Sequence, residues 1–204
     1  YRKNCGSGKK RKMKKILFVS VVICGLFIVF LFFVRKFNTN KKLSSVGDNI
    51  KNMGNLKIFN PSFQDGGKIP DRFTCEGENI SPAIQIEGAP NGTISFVFVV
   101  DDPDAAGGKT WDHWLVWNIA PETILIPEGG IPAGAVSGVT SFGDKKYGGP
   151  CPPLGSGVHR YRFKLYALDS VLNLPPESPK SQVERAMAGH TLDEAILTGL
   201  YERA

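Results

Sequence analysis

Two of the three histidines in this 204-residue chain sit in short polar and aromatic runs, Trp111-Asp112-His113-Trp114 and His159-Arg160-Tyr161. A third polar run, Asp101-Asp102-Pro103-Asp104, follows an apolar stretch directly. Carboxylates and imidazoles together bind ligands, and Asp102, Asp104, His113 and His159 are of the types that hold a metal ion for hydrolysis. The spacing does not favour that metal-dependent hydrolase: there is no HExxH pair and no evident general base beyond the same four residues. Between the histidine runs lies Tyr147-Gly148-Gly149-Pro150-Cys151-Pro152-Pro153-Leu154-Gly155. Its prolines fix the backbone and its glycines permit close approach, which suits a pocket wall.

The polar runs fall at the ends of predicted strands, where loops gather and sites are built. The strands are Leu56–Phe59, Ile84–Ile86, Ile94–Val100 after an Asn91-Gly92 turn, His113–Ile119 and Tyr161–Leu168. Tyr161, Phe163, Leu165 and Ala167 alternate with Arg162, Lys164 and Tyr166, which predicts a strand with one buried face. ISFVFVV at 94–100 is nearly continuous and predicts a strand covered on both faces. Two stacked layers of sheet accommodate both patterns. Helices are predicted only near the C-terminus. Ser178 as N-cap and Pro179 as first-turn proline open one over Lys180–Ala188, with Val183 and Met187 on one face and Gly189 at its end. Thr191-Leu192-Asp193-Glu194 reads as a capping box opening a second, with Leu192, Ala195, Ile196 and Leu200 as its apolar stripe. The fold class is mainly β, with these helices as cover.

The formal charge of +6 belongs to the N-terminus. The first 42 residues hold 12 Lys and Arg and no acid, leaving 13 basic and 19 acidic residues beyond them. A remainder at −6 repels phosphate backbones, so nucleic acid is excluded as the partner. Residues 16–34 (ILFVSVVICGLFIVFLFFV) are 19 uncharged residues, long enough to cross a hydrocarbon layer of about 30 Å. They read as a transmembrane helix rather than a cleaved signal, whose apolar core runs about 7–15 residues. Eight basic residues precede the run and four follow. That bias expects residues 1–15 as a basic cytoplasmic tail and the C-terminal domain outside the cell. Met13-Lys14-Lys15 has the form of a natural start; counted from there, only two basic residues precede the span. Cys24 follows Ile23 rather than a small residue and reads as membrane filler, not a lipid-bearing cysteine. Residues 35–55 have linker composition, and the folded domain is expected over 56–204.

Five segments together carry a resemblance: DDPDA at 101–105, DHW at 112–114, YGGPCPPLGSGVHRYRFKLYALD at 147–169, FTCEGENISP at 73–82 and AMAGHTLDEAILTGLYER at 186–203. They are similar to the signature segments of the phosphatidylethanolamine-binding protein family, in its bacterial and archaeal Raf-kinase-inhibitor-like branch. The resemblance spans nearly all of Leu56–Arg203, and the N-terminal anchor and linker lie outside it. It implies an antiparallel β-sandwich-like fold with a small anion pocket at one end. By motif position it implies Asp102, Asp104, His113, His159 and Tyr161 as ligand-binding residues, with Pro152 and Pro153 on the rim. Two imidazoles and a tyrosine hydroxyl can donate to phosphate or carboxylate oxygens, while the carboxylates orient the imidazoles and favour their charged form.

Simpler roles stand beside these. An aspartate in a DPD turn often bonds its own backbone, a role that suits Asp104 better than Asp102. Asp101 is expected to be structural, Arg160 and Arg162 solvated or paired, His190 a capping or packing residue, and the tryptophans mainly core. Cys75 and Cys151 lie in two of the family-like segments. Outside the cytoplasm they could form a disulfide; the alternative, Cys151 as a nucleophile beside His159, lacks a helix N-terminus to activate it. The expected function is a membrane-anchored binding module, not an enzyme, that needs no cofactor. It captures a small anionic ligand or phosphorylated headgroup and, by family analogy, inhibits a protease or a kinase.

Overall fold

The computed structural model describes residues 55–203, which belong to a compact unit, Asn52–Ala204. The expected cytoplasmic tail, transmembrane helix and nearly all of the linker lie outside the described residues. Among the described residues no helix is long and apolar enough to cross a membrane.

Among the described residues nine strands form two sheets. In chain order they are β1 (Lys57–Phe59), β2 (Gly67–Lys68), β3 (Ile84–Glu87), β4 (Ser95–Asp102), β5 (Trp111–Ile119), β6 (Leu125–Ile126), β7 (Val136–Ser137), β8 (His159–Leu168) and β9 (Thr191–Tyr201). The small sheet runs β1-β3-β6 and the large one β2-β9-β8-β4-β5-β7. Pairing is antiparallel except between β2 and β9. Ile58, Ile84, Ile86 and Ile126 of the small sheet share one core with Phe96, Phe98, Val100, Trp114, Val116, Phe163 and Leu165 of the large one. On the opposite face of the large sheet, Val97, Val99, Leu115 and Trp117 pack against Leu172, Val183 and Met187. Every residue of β4 is therefore buried. Its continuous apolar run has its second cover in a helix, and its first in the small sheet.

That helix, α1 (Lys180–Met187), takes the expected place, but Pro179 stands at its N-cap with no side-chain capping bond. The expected Ser178 cap is not formed; the Ser178 hydroxyl is buried without a partner among the described residues. The second predicted helix is a strand. In β9 the buried residues are Ala195, Leu197, Gly199 and Tyr201, a period of two, while Leu192 and Ile196 of the supposed stripe are exposed. Ten registered pairs bind β9 to β8 from His159↔Tyr201 to Leu168↔Thr191. The long-range ladder outweighs a local capping pattern whose worth is about 1 kcal/mol. Asp193, assigned to the capping box, instead accepts from the backbone N–H of Leu56 at 3.1 Å.

One irregularity positions the site. Along β4 and β5, Val100 pairs with Trp114 but Asp101 pairs with Asp112, so His113 is the extra residue of a β-bulge. Regular alternation from Leu115 would put His113 on the helix side. The bulge turns its ring toward the core between the sheets and hands the helix side to Asp112, which bonds Lys180 of α1.

Candidate functional site

The bulge at His113, the C-terminal end of β4 and the first turn of β8 meet at one end of the large sheet. There Asp102, His113, His159 and Tyr161 line a cavity of about 200 Å³ together with Trp111, Phe142, Pro152 and Pro153. His159 and Tyr161 are on the inward face of β8, alternating with Arg160 and Arg162, as the period of two requires. Trp114 and Trp117 are core, whereas Trp111 is 41% exposed at the cavity mouth.

The Pro- and Gly-rich stretch is pinned to the segment 73–79. Tyr147 Oη donates to the Phe73 carbonyl at 2.8 Å, Asn79 Oδ1 accepts from Gly149 N–H at 2.7 Å, and Cys75 N–H donates to the Pro150 carbonyl at 3.1 Å. A Cβ at Gly149 would collide with the Phe73 carbonyl and the Asn79 side chain, so only glycine allows this approach. Cys75 and Cys151 are joined by a disulfide that spans 76 positions of sequence. Loop closure of that length is worth about 4 kcal/mol. Reduction, or serine at both positions, is expected to lower the unfolding free energy by roughly that amount, read from urea melts with and without reductant; an unchanged midpoint would count against it.

Each polar side chain of the cavity has a definite partner except one. His113 Nδ1 lies 2.6 Å from the Gly148 carbonyl and must donate to it, leaving Nε2 without a partner among the described residues. Burial lowers the His113 pKa below the ordinary imidazole value, against the opposing pull of the Gly148 carbonyl and of Asp102, Asp101 and Asp112. His159 Nδ1 bonds Asp102 Oδ2 at 2.8 Å, and Nε2 lies 3.0 Å from Ser156 Oγ. The Tyr161 hydroxyl is buried with no partner among the described residues. Burial, reinforced by the charges of Asp102 and Asp104, pushes its pKa up, so it keeps its proton as a donor.

The two aspartates of the DPD turn divide their work in the opposite sense to the local expectation. Asp102 is the turn former, its Oδ1 accepting from Asp104 N–H at 2.7 Å, and it also faces the cavity. Asp104 is not among the lining residues. Its carboxylate is taken by Arg160 through two guanidinium bonds and one backbone bond, which hold its pKa down at about 2. Arg162 pairs with Asp101 at 2.9 Å, and His190 pairs with Asp169 away from the cavity. Among the described residues no group of three His, Cys, Asp or Glu side chains could hold a metal ion. Asp102 and His159 are instead committed to each other, Asp104 to Arg160 and His113 to the Gly148 carbonyl. Two contributors carry no local signal in the sequence: Phe142, whose ring meets His113 edge-on at 5.3 Å, and Ser156; the Gly148 carbonyl comes from the stretch expected to form a pocket wall.

Comparison with known proteins decides the family. The family model described as phosphatidylethanolamine-binding protein matches residues 59–202. The chain belongs to this family. A family relative, the UPF0098 protein of Methanothermobacter thermautotrophicus, is 49% identical over 154 residues, covering 73% of this chain and 99% of its own. The Mycobacterium tuberculosis protein LppC, named as a lipoprotein, is 43% identical over 147 residues, covering 72% of each chain. Among solved family structures, Escherichia coli YbcL superposes with a TM-score of 0.70 at 31% identity, covering 73% of this chain and 99% of its own. These relatives place the chain in the bacterial and archaeal branch of the phosphatidylethanolamine-binding protein family.

Proposed function

We propose that this protein is a membrane-tethered, outward-facing binding module whose cavity captures a small anionic group, a phosphate or carboxylate. The observation that carries this reading is the Tyr161 hydroxyl, a buried donor facing the cavity that meets no acceptor at hydrogen-bond geometry among the described residues, with the Asp102 carboxylate beside it. Such a donor costs about 1–3 kcal/mol when left unpaired, and a ligand oxygen relieves that cost. His113 Nε2 adds a second donor once the ring is protonated, and Asp102 holds His159 in place. The tether is supported by the apolar run at 16–34 and by the lipoprotein name of the M. tuberculosis relative; a disulfide fits an oxidising compartment. An outward domain meets proteases and lipid headgroups more readily than kinases, so inhibition of an extracellular hydrolase ranks above kinase control.

The test is a titration of the full chain in detergent with sulfate, phosphate and phosphoethanolamine, following the His113 and His159 ring resonances by NMR. Burial depresses the His113 pKa in the empty site, and a bound anion raises it. Affinity is therefore expected to climb as pH falls from about 8 to about 5 and to flatten once the empty site is itself protonated. Sulfate, which does not titrate in this range, isolates the protein's share of the effect. Absence of saturable shifts at millimolar concentrations of all three ions would remove the cavity as an anion site.

A further inference from the structure

Ser156, His159 and Asp102 form a hydrogen-bonded line. Ser156 Oγ is 3.0 Å from His159 Nε2, and His159 Nδ1 is 2.8 Å from Asp102 Oδ2. The aspartate and histidine are 5% and 6% exposed at their side chains and line the cavity, while the serine is exposed beside His159. Asp102 is itself fixed by the Asp104 N–H. This is the order a nucleophilic hydroxyl, its base and the base's orienting carboxylate take in acyl transfer.

The loop around Ser156 fits that role. Gly155 and Gly157 flank it with φ of +75° and +84°, and a Cβ at either would meet nothing within 4 Å. Ser156 itself is exposed. The Ser156 hydroxyl donates to the Pro153 carbonyl at 2.8 Å, and the same Oγ is 3.0 Å from His159 Nε2, so that a rotation about the Cβ–Oγ bond turns its proton toward His159, whose Nδ1–H is committed to Asp102. The N–H of Gly157, the residue after the hydroxyl, donates to nothing among the described residues, and the Tyr161 hydroxyl of the neighbouring cavity makes no hydrogen bond among them; each is a donor of the kind a developing oxyanion requires. Trp111, Phe142, Pro152 and Pro153 give the cavity apolar walls for a short acyl chain.

We infer that the Ser156–His159–Asp102 line is a hydrolytic site for short-chain carboxylic esters, opening on the cavity. Oγ attacks the ester carbonyl carbon as its proton passes to His159 Nε2. The carbonyl carbon–alkoxy bond then breaks and the proton leaves with the alcohol. Water attacks the acyl-serine and gives a proton to Nε2. The carbon–Oγ bond breaks, the proton returns to Oγ, and the carboxylic acid departs. The activity goes beyond anion capture and does not require the cavity to retain an anion.

The experiment treats the full chain in detergent with 4-nitrophenyl acetate, and separately with a fluorophosphonate probe followed by peptide mapping. Turnover above buffer is expected, with the probe on Ser156. Ser156→Ala, a change on an exposed loop, is expected to lose the label and at least about 100-fold in turnover. Asp102→Asn should slow both reactions while Ser156 is still present. Hydrolysis surviving in Ser156→Ala, a label on another residue, or neither turnover nor label in the native chain would each overturn the assignment. The anion titration is read independently, so the two ideas fail separately.

Discussion

Tyr161→Phe is expected to lower affinity for sulfate or phosphate roughly 10- to 100-fold, the worth of a hydrogen bond to a charged group. The fold should be left almost untouched. The usual penalty for removing a buried hydroxyl is the loss of its protein partner, and this hydroxyl has none among the described residues. Its ring, 1% exposed, keeps its place in the core and its edge-on contact with His113 at 5.1 Å. Unfolding free energy should therefore stay within about 1 kcal/mol of the native value, or rise, because an unsatisfied polar group has gone. Calorimetry of anion binding beside urea melts reads both quantities. Native-like affinity in the phenylalanine variant would mean that the ligand oxygen is held elsewhere, and the cavity reading would lose its main support.

The largest stability loss from a single substitution is expected at Asp101. Its side chain is 1% exposed and meets Arg162 at 2.9 Å, Lys164 at 2.6 Å and Lys180 at 3.3 Å; Lys180 also bonds Asp112. Lys164 and Lys180 are only 12% and 14% exposed. Asp101→Ala would leave them sheltered from water with their shared counter-charge gone, at about 3–5 kcal/mol. Burial by itself would raise the Asp101 pKa, but the bonds and charges of Lys164, Arg162 and Lys180 outweigh it and hold the carboxyl below its ordinary value. A depressed folded-state pKa contributes stability above the unfolded value, near 3.8, and loses it as pH falls toward the folded one. The gap between native and Asp101→Asn stabilities should thus be constant near neutrality and narrow below about pH 4. A loss under about 1 kcal/mol on Asp101→Ala would show that the cations find water instead.

Much of the frame was legible because its signals are local. The alternation of Tyr161, Phe163, Leu165 and Ala167 belongs to β8, and the uninterrupted run at 94–100 belongs to a strand with a sheet on one face and a helix on the other. β9 was not legible in the same way. Leu192, Ala195, Ile196 and Leu200 satisfy a helical stripe as well as the residues at 195, 197, 199 and 201 satisfy a strand. What decides between them is the open edge of β8, a partner some thirty residues earlier that no local window contains. The site divides along the same line. The types at Asp102, His113, His159 and Tyr161 were visible in short motifs, whereas the commitment of Asp104 to Arg160 and the presence of Ser156 beside His159 depend on how the loops close. Nor does anything in Trp111-Asp112-His113-Trp114 announce a bulge.

That bulge makes one strand serve two compartments. Asp112 and His113 are neighbours in the chain, yet one grips Lys180 beneath the sheet while the other faces the cavity above it. Asp101 and Asp102 repeat the arrangement on the adjoining strand, one turned to the lysines and the other to His159. Helix-side and cavity-side residues are therefore chain neighbours on both strands, so that Lys180 of α1, in gripping Asp101 and Asp112, fixes the residues next to Asp102 and His113.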